Sequence, residues 1–276
     1  MSSHPRRTAG VLLASVTALL TAGIPAAAAA TPTPKPKPAP GTTEASKTPA
    51  PQPPVPDPHA TVAVLDLDAG ATTPVIQGED RAYDTASIVK VDILATLLLK
   101  AQDERRALTD EERGHAEPMI KRSDNDAADA LWKEIGQDPG LTAANQRLGL
   151  TSTTAGTSGR WGLTRTTASD QIRLLRAVFD DSARSPLTPD SRAYIRTLMG
   201  EVLPEQSWGV SAVNAAGTEL KNGWLQRTTT GLWDVNSIGE VTLGGHRCLV
   251  AVLSDGSASM SDGVSLVEQA ARTAVA

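Results

Sequence analysis

Ser87 and Lys90 stand three residues apart where a long apolar run begins. At that spacing two residues share one face of a helix, so an amine at 90 can reach a hydroxyl at 87. A serine hydroxyl is a weak nucleophile until a neighbouring base takes its proton, and a desolvated lysine with a lowered pKa can be that base. At a helix start the Ser87 N–H can also donate to a developing oxyanion, aided by the positive end of the helix dipole. Alone the pair is weak evidence. Roughly one Ser-x-x-Lys arises by chance in a chain this long, and a surface lysine one turn into a helix has the same spelling.

Two further clusters carry chemistry. Ser123-Asp124-Asn125 offers a hydroxyl that could pass a proton to a leaving amine and an amide that could hold a substrate amide. The same three residues before Ala127-Ala128-Asp129-Ala130-Leu131 also spell a helix N-cap. Lys221-Asn222-Gly223 falls in an expected strand, where the lysine can meet a carboxylate and the glycine admits a ligand close to the backbone. Ser-x-x-Lys, Ser-Asp-Asn and Lys-Thr-Gly form the set shared by serine β-lactamases and penicillin-binding proteins. With all three sites in that order, and Tyr83-Asp84-Thr85-Ala86 ahead of the serine, residues 60–276 resemble that superfamily, specifically its class A β-lactamase-like branch.

The resemblance implies a role for each position. Ser87 would be the acylated nucleophile and Lys90 its base. Ser123 would shuttle a proton, Asn125 would bind the substrate amide, and Lys221 would orient a carboxylate. Asn222 and Gly223 complete the third motif, and Trp224 would supply the second oxyanion N–H. The implied substrates are β-lactams or D-Ala-ending peptides of peptidoglycan, handled without metal or cofactor.

Four departures from the family pattern stand out. Asn222 replaces the usual Thr. Trp224 occupies a position that is usually small. From Leu150 to Ser169 there is no Asp or Glu, although class A enzymes carry there the glutamate that activates the deacylating water. The proline-rich start also runs straight into the first strand, leaving no room for the family's N-terminal helix. Acylation is therefore expected and efficient deacylation is not, unless Asp126, Asp129 or Asp170 substitutes. The alternative is a penicillin- or peptidoglycan-binding protein with little or no turnover.

These residues need elements to position them. Thr61–Leu67 reads as a buried strand and Val75-Ile76 as its return partner. From Ser87 to about Arg106, Ile88, Val91, Leu94, Leu97 and Leu98 recur at helical spacing and predict one apolar face. Helices are expected over 125–135, 141–148, 169–179 and 189–198. Strands are expected over 219–225, 233–241 and 247–254, the last nearly all apolar and so central. An amphipathic helix from Asp262 closes the chain. This order suggests one sheet built from both ends of the chain, about 59–86 and 217–276, with an all-helical part over about 87–216; the resemblance implies that the sheet is antiparallel and five-stranded, an α+β fold class.

The first 58 residues read differently. Arg6 and Arg7 precede an apolar run, Val11 to Ile24, and then alanines to Ala30, the pattern of a secretory signal peptide. Residues 31–58 hold 11 prolines in 28 positions and read as an extended, disordered linker suited to a cell wall. A secreted protein with no retained membrane span follows from that. These 58 residues hold five of the basic and two of the acidic side chains, so residues 59–276 carry net −8. That balance excludes nucleic acid, which needs a basic face. Cys248 is the single cysteine and sits in an apolar run, where packing is its expected role. His59, His115 and His246 with no Gly-x-Ser-x-Gly argue against a Ser-His-Asp hydrolase, and no His or Cys pair has metal-ligand spacing.

Overall fold

The computed structural model describes residues 58–182 and 184–276. The signal-peptide reading of 1–30 and almost all of the linker reading of 31–58 lie outside those residues. Two strands open the domain, β1 (His59–Asp66) and β2 (Val75–Gln77), followed by a short β3 (Tyr83–Asp84). Helices α1 (Val89–Asp103), α2 (Asp110–Lys121), α3 (Asn125–Glu134) and α4 (Gln137–Leu148) come next, then β4 (Arg165–Thr166), α5 (Ala168–Phe179) and α6 (Pro189–Gly200). The chain ends with β5 (Glu219–Gln226), β6 (Trp233–Leu243), β7 (His246–Ser257) and α7 (Met260–Ala274). The main sheet runs β2-β1-β7-β6-β5, every neighbour antiparallel. Both ends of the chain build it, as the sequence pattern implies.

β7 lies at the centre and shows why the sheet is covered on both faces. Leu249, Ala251 and Leu253 join the larger core with α1 and α5, while Cys248, Val250 and Val252 join Val267 and Ala271 of α7. Alternate side chains of a strand point to opposite faces, so an unbroken apolar run is what a doubly covered strand requires. Cys248 is buried there. Gly244 and Gly245, both at positive φ, form the two-residue turn between β6 and β7, a geometry that glycines adopt without strain.

Four differences from the sequence reading matter. Ser87 lies in a single 3-10 turn, Ala86–Ile88, and the α-helix proper begins at Val89. α1 is buried almost all round, not on one face: Ile93, Ala95 and Leu99 are as enclosed as Val91 and Leu94. A helix apolar on every side belongs in the middle of a domain. Finally, α2 is concealed in the sequence by its polar composition and by Pro118 inside it. Its N-terminus is nevertheless legible as a capping box, in which Thr109 accepts from Glu112 N and Glu112 accepts from Thr109 N. The helical part is also interrupted by β4, which pairs with β3 in a two-residue ribbon just ahead of the turn that carries Ser87.

Candidate active site

Three segments bring the motif residues together: the turn entering α1, the loop entering α3, and strand β5. On the turn, Ala86 adopts a positive φ immediately before Ser87, a strained conformation that non-glycine residues keep only where surroundings enforce it. Asn236 of β6 does much of the enforcing. Its buried amide donates to the carbonyls of Asp84 (2.9 Å) and Thr85 (3.0 Å), while its Oδ1 accepts from Ser254 N at 3.0 Å. Asp84 adds a charged anchor, accepting from Arg165 at 3.4 Å and pairing with Arg227. Sequence reasoning missed Asn236, which is one of several polar residues in β6 and carries no mark in the sequence that sets it apart.

In the second segment the cap and the chemistry divide between neighbours. Asp124 is the N-cap of α3, its Oδ1 accepting from Ala127 N at 2.9 Å. Ser123 and Asn125, on either side, turn toward Lys90. The Lys90 amine donates to the Ser123 carbonyl (2.6 Å), to Ser123 Oγ (3.1 Å) and to Asn125 Oδ1 (2.8 Å). Ser123 also has a positive φ, and the bond from Lys90 to its carbonyl holds that conformation.

From β5, the Lys221 amine donates to the same Ser123 Oγ at 3.0 Å and to the Asn222 carbonyl at 2.8 Å. A hydroxyl has two acceptor lone pairs and one hydrogen. With an amine on each lone pair, Ser123 keeps its hydrogen free to give away. Both lysines are fully buried. Burial lowers the Lys90 amine to about 7, with the charges of Asp124 and Asp129 pulling the other way. Lys221 is lowered well below the ordinary range by burial and then by the charge of Lys90. Two amines this close cannot both be comfortably protonated.

The other sequence-named residues fall in different places. Gly223 lies against the nucleophile turn, where a Cβ would come within 2.6 Å of Ser87 N and 2.8 Å of Ile88 N. Asn222 points away from Lys90 and donates to the carbonyls of Gln206 (2.8 Å) and Trp208 (2.9 Å). Its amide hydrogens are therefore committed to a loop, and its Oδ1 is buried without a partner. Trp224 is half-buried against Trp208, ring centroids 5.9 Å apart. Ser87 is part-exposed, and its hydroxyl makes no hydrogen bond among the described residues; the Lys90 amine is occupied by Ser123 and Asn125 instead.

The loop over 150–168 presents an aromatic ring where the family pattern calls for a carboxylate. The Lys90 amine lies 4.9 Å from the centroid of Trp161, whose Nε1 donates to Asp129 at 2.7 Å. Of the three candidate carboxylates, Asp170 is enclosed and accepts from Ser152 N (2.7 Å), Thr153 Oγ1 (2.8 Å) and Arg173. Asp126 is exposed on the first turn of α3. Asp129 alone reaches the cleft of about 700 Å³ that Asn125, Trp161, Leu225 and Arg227 line. Trp161 had no signal in the sequence beyond its rarity as an aromatic. Among the described residues no group of three or more His, Cys, Asp or Glu could hold a metal ion.

Comparison with known proteins identifies the family and the fold. The family model of the beta-lactamase enzyme family matches residues 113–276, which include the second and third motifs but not Ser87 and Lys90. Proteins of Mycobacterium tuberculosis and Mycobacterium bovis named as the lipoprotein LppW are 30% identical over 166 residues, covering 58% of this chain and 52% of theirs. The chain thus spans about half the length of these curated relatives. Among solved structures, a class A β-lactamase from Bacteroides cellulosilyticus is similar, with a TM-score of 0.65 and 18% identity over 78% of this chain and 90% of that one. The TLA-3 extended-spectrum β-lactamase gives 0.67 and 18% over 78% and 91%. PBP-A gives 0.65 and 21% over 82% and 89%, and a mutant of PBP-A was solved as an acyl-enzyme complex with penicillin G.

Proposed function

We propose that this chain, which belongs to the beta-lactamase enzyme family, is an acyl-transfer enzyme that is acylated on Ser87 by β-lactams or D-Ala-type peptide amides and releases the acyl group slowly. The observation that carries it is the pair of buried amines meeting at Ser123 Oγ beside a part-exposed, unbonded Ser87 hydroxyl.

In the acylation step Ser87 Oγ bonds to the substrate carbonyl carbon as its proton passes to neutral Lys90. The amine lies one helical turn away and reaches the hydroxyl by giving up one of its present acceptors. With a pKa of about 7, roughly half of Lys90 is neutral at pH 7. The tetrahedral oxyanion would rest on the N–H groups of Ser87 and Trp224, at the point where Gly223 touches the nucleophile turn. Collapse breaks the C–N bond. The leaving nitrogen takes the Ser123 hydrogen, and Ser123 is reprotonated from the lysines. Lys221 orients the substrate carboxylate and Asn125 the acyl amide.

Slow release rests on Trp161. An indole beside Lys90 cannot take a proton from water, and Asp129, the candidate carboxylate that lines the cleft, already accepts from that indole. Lacking a general base, water should attack the ester about 10²- to 10⁴-fold more slowly. Export to the cell envelope belongs to the same reading, supported by the leader-like residues 1–30, the proline-rich segment after them and relatives named as lipoproteins. Among the described residues no helix is long and apolar enough to cross a membrane.

A paired assay tests the proposal. Intact mass after penicillin treatment should show one long-lived adduct, mapped to Ser87, while a chromogenic cephalosporin is turned over slowly. An adduct on another serine, or labelling that survives Ser87→Ala, would refute acylation. Fast hydrolysis with no visible acyl-enzyme would refute slow release.

A further inference from the structure

The cleft has an acyl-side end whose charge is distinctive. It contains Asn125, the residue assigned to the acyl amide, but neither Lys221 nor Ser123, which face the leaving group. Its loop wall is Gly159 to Leu163 and its sheet wall runs from Leu225 to Thr229. Three ionic side chains line it. Arg227 is neutralised by Asp84 and Asp234, and Asp129 accepts from Trp161. Arg160 is exposed, and its side chain enters no ion pair or hydrogen bond among the described residues. Of the two arginines that line the cleft, Arg160 is thus the one without a carboxylate partner among the described residues, while the Asp129 carboxylate, hydrogen-bonded to a neutral indole N–H, keeps its charge in the same cleft.

The backbone under Arg160 is fixed. Arg160 N donates to Thr157 O (3.1 Å), Leu163 N to Arg160 O (2.9 Å), and Gly156 N to Thr164 Oγ1 (3.0 Å). Gly156 packs so closely that a Cβ there would lie 2.2 Å from Arg160 O. Backbone order places the Arg160 Cα at the rim, and the ordering cost left to meet on binding is that of the exposed side chain. On the other wall, the Thr228 and Thr229 hydroxyls are exposed and unbonded, two further donors for an anion.

We infer that Arg160 determines specificity for acyl donors that carry an anionic group on the acyl side of the scissile bond, such as a peptide with a free side-chain carboxylate. The inference rests on the acyl-transfer reading for which end of the cleft is which. An exposed guanidinium–carboxylate contact changes affinity by a few-fold and is weakened by salt.

Benzylpenicillin and carbenicillin form a matched pair, since the second is the first with a carboxylate on the side-chain α-carbon. Second-order acylation of the full chain is measured by intact mass for each drug, and dissociation constants are measured calorimetrically in a Ser87→Ala background. In both measurements the carbenicillin-to-benzylpenicillin preference should fall about threefold in Arg160→Gln and about tenfold in Arg160→Glu. The differences should shrink in 0.5 M salt. Arg147→Gln, which removes an exposed charge paired with Asp103 on α4, should leave the preference unchanged. A preference that is the same in the wild type and both Arg160 variants, or that moves equally in Arg147→Gln, overturns the inference. Shifted dissociation constants with no acylation by either drug would sink the acyl-transfer reading while the anion preference stands.

Discussion

Asp92 lies two residues beyond Lys90 on α1, wholly buried, with the Asn145 amide set against its carboxylate and no cation paired to it among the described residues. Burial pushes its carboxyl up to about 8; the Asn145 amide opposes the shift and the charge of Asp170 adds to it. Folding at neutral pH must therefore load a proton onto a group that is ionised in the unfolded chain. The sign follows directly. A carboxyl with a raised folded pKa is protonated in both states below about 4, so it costs nothing there. Between about 4 and 8 stability falls by about 1.4 kcal/mol per pH unit, reaching about 4 kcal/mol at pH 7. Asp92→Asn keeps the shape of the protonated acid, removes the proton uptake and can still meet Asn145. Urea unfolding of both proteins at pH 5, 6 and 7 should show the variant more stable by a margin that widens from about 1.5 to about 4 kcal/mol. At pH 7 that is on the order of 10 °C in melting temperature for a domain of this size. A margin that stays constant across pH, or a variant that is less stable throughout, would refute the reasoning, because it would mean that the native carboxyl is charged and paired.

The remaining expectations concern the site itself. Lys90→Ala should slow acylation about 10²- to 10⁴-fold without unfolding the protein; an unchanged rate would send the Ser87 proton through Ser123 instead. In the wild type the acylation rate should rise about tenfold per pH unit below 7 and level off above it, as the amine loses its proton. Asp129→Asn removes a charge that favours the protonated amine, so the midpoint of that profile should move below 7; movement upward would contradict the geometry. Gly223→Ala places a methyl within 2.8 Å of two backbone nitrogens of the nucleophile turn. It should cost about 10²-fold in acylation, read by mass, if Ser87 shifts by about an ångström.

The sequence made the sheet, the order of the motifs and most helices legible because each follows from local periodicity or a turn signal. Lys90, Ser123, Asn125 and Lys221 converge as the family resemblance implies. Less legible were features set by tertiary contact. Whether Asn222 faces the cleft or the loop at 206–208 depends on packing behind β5, which a Lys-Asn-Gly string cannot report. The covering of Lys90 by Trp161 depends on how the 150–168 loop closes. The shortage of carboxylates in that loop was visible, whereas the indole that stands there was not. Of the three aspartates weighed as substitutes, burial and hydrogen bonding set Asp170 aside, and both are properties of the fold.

Two buried lysines, two non-glycine residues at positive φ and an unpaired buried aspartate all lie within one turn or loop of Ser87. Each costs stability: the amines through desolvation, and the backbone at Ala86 and Ser123 about 1–3 kcal/mol apiece. A fold tolerates such a concentration when the same features supply reactivity. In the proposed reaction the Lys90 amine, lowered by burial, would supply a base near neutral pH, and the strained turns would set the positions of Ser87 and Ser123. Asn236 and Asp84 then act as braces, tying the nucleophile turn to β6, to β7 through Ser254 N, and to Arg165 and Arg227 on either wall. Asp92 is the exception: its carboxyl reaches neither Ser87 nor Lys90 by any hydrogen bond, so its cost has no catalytic return. That contrast separates the two kinds of buried charge. Neutralising Asp92 should stabilise the protein and spare acylation, whereas neutralising Lys90 removes the buried charge together with the chemistry.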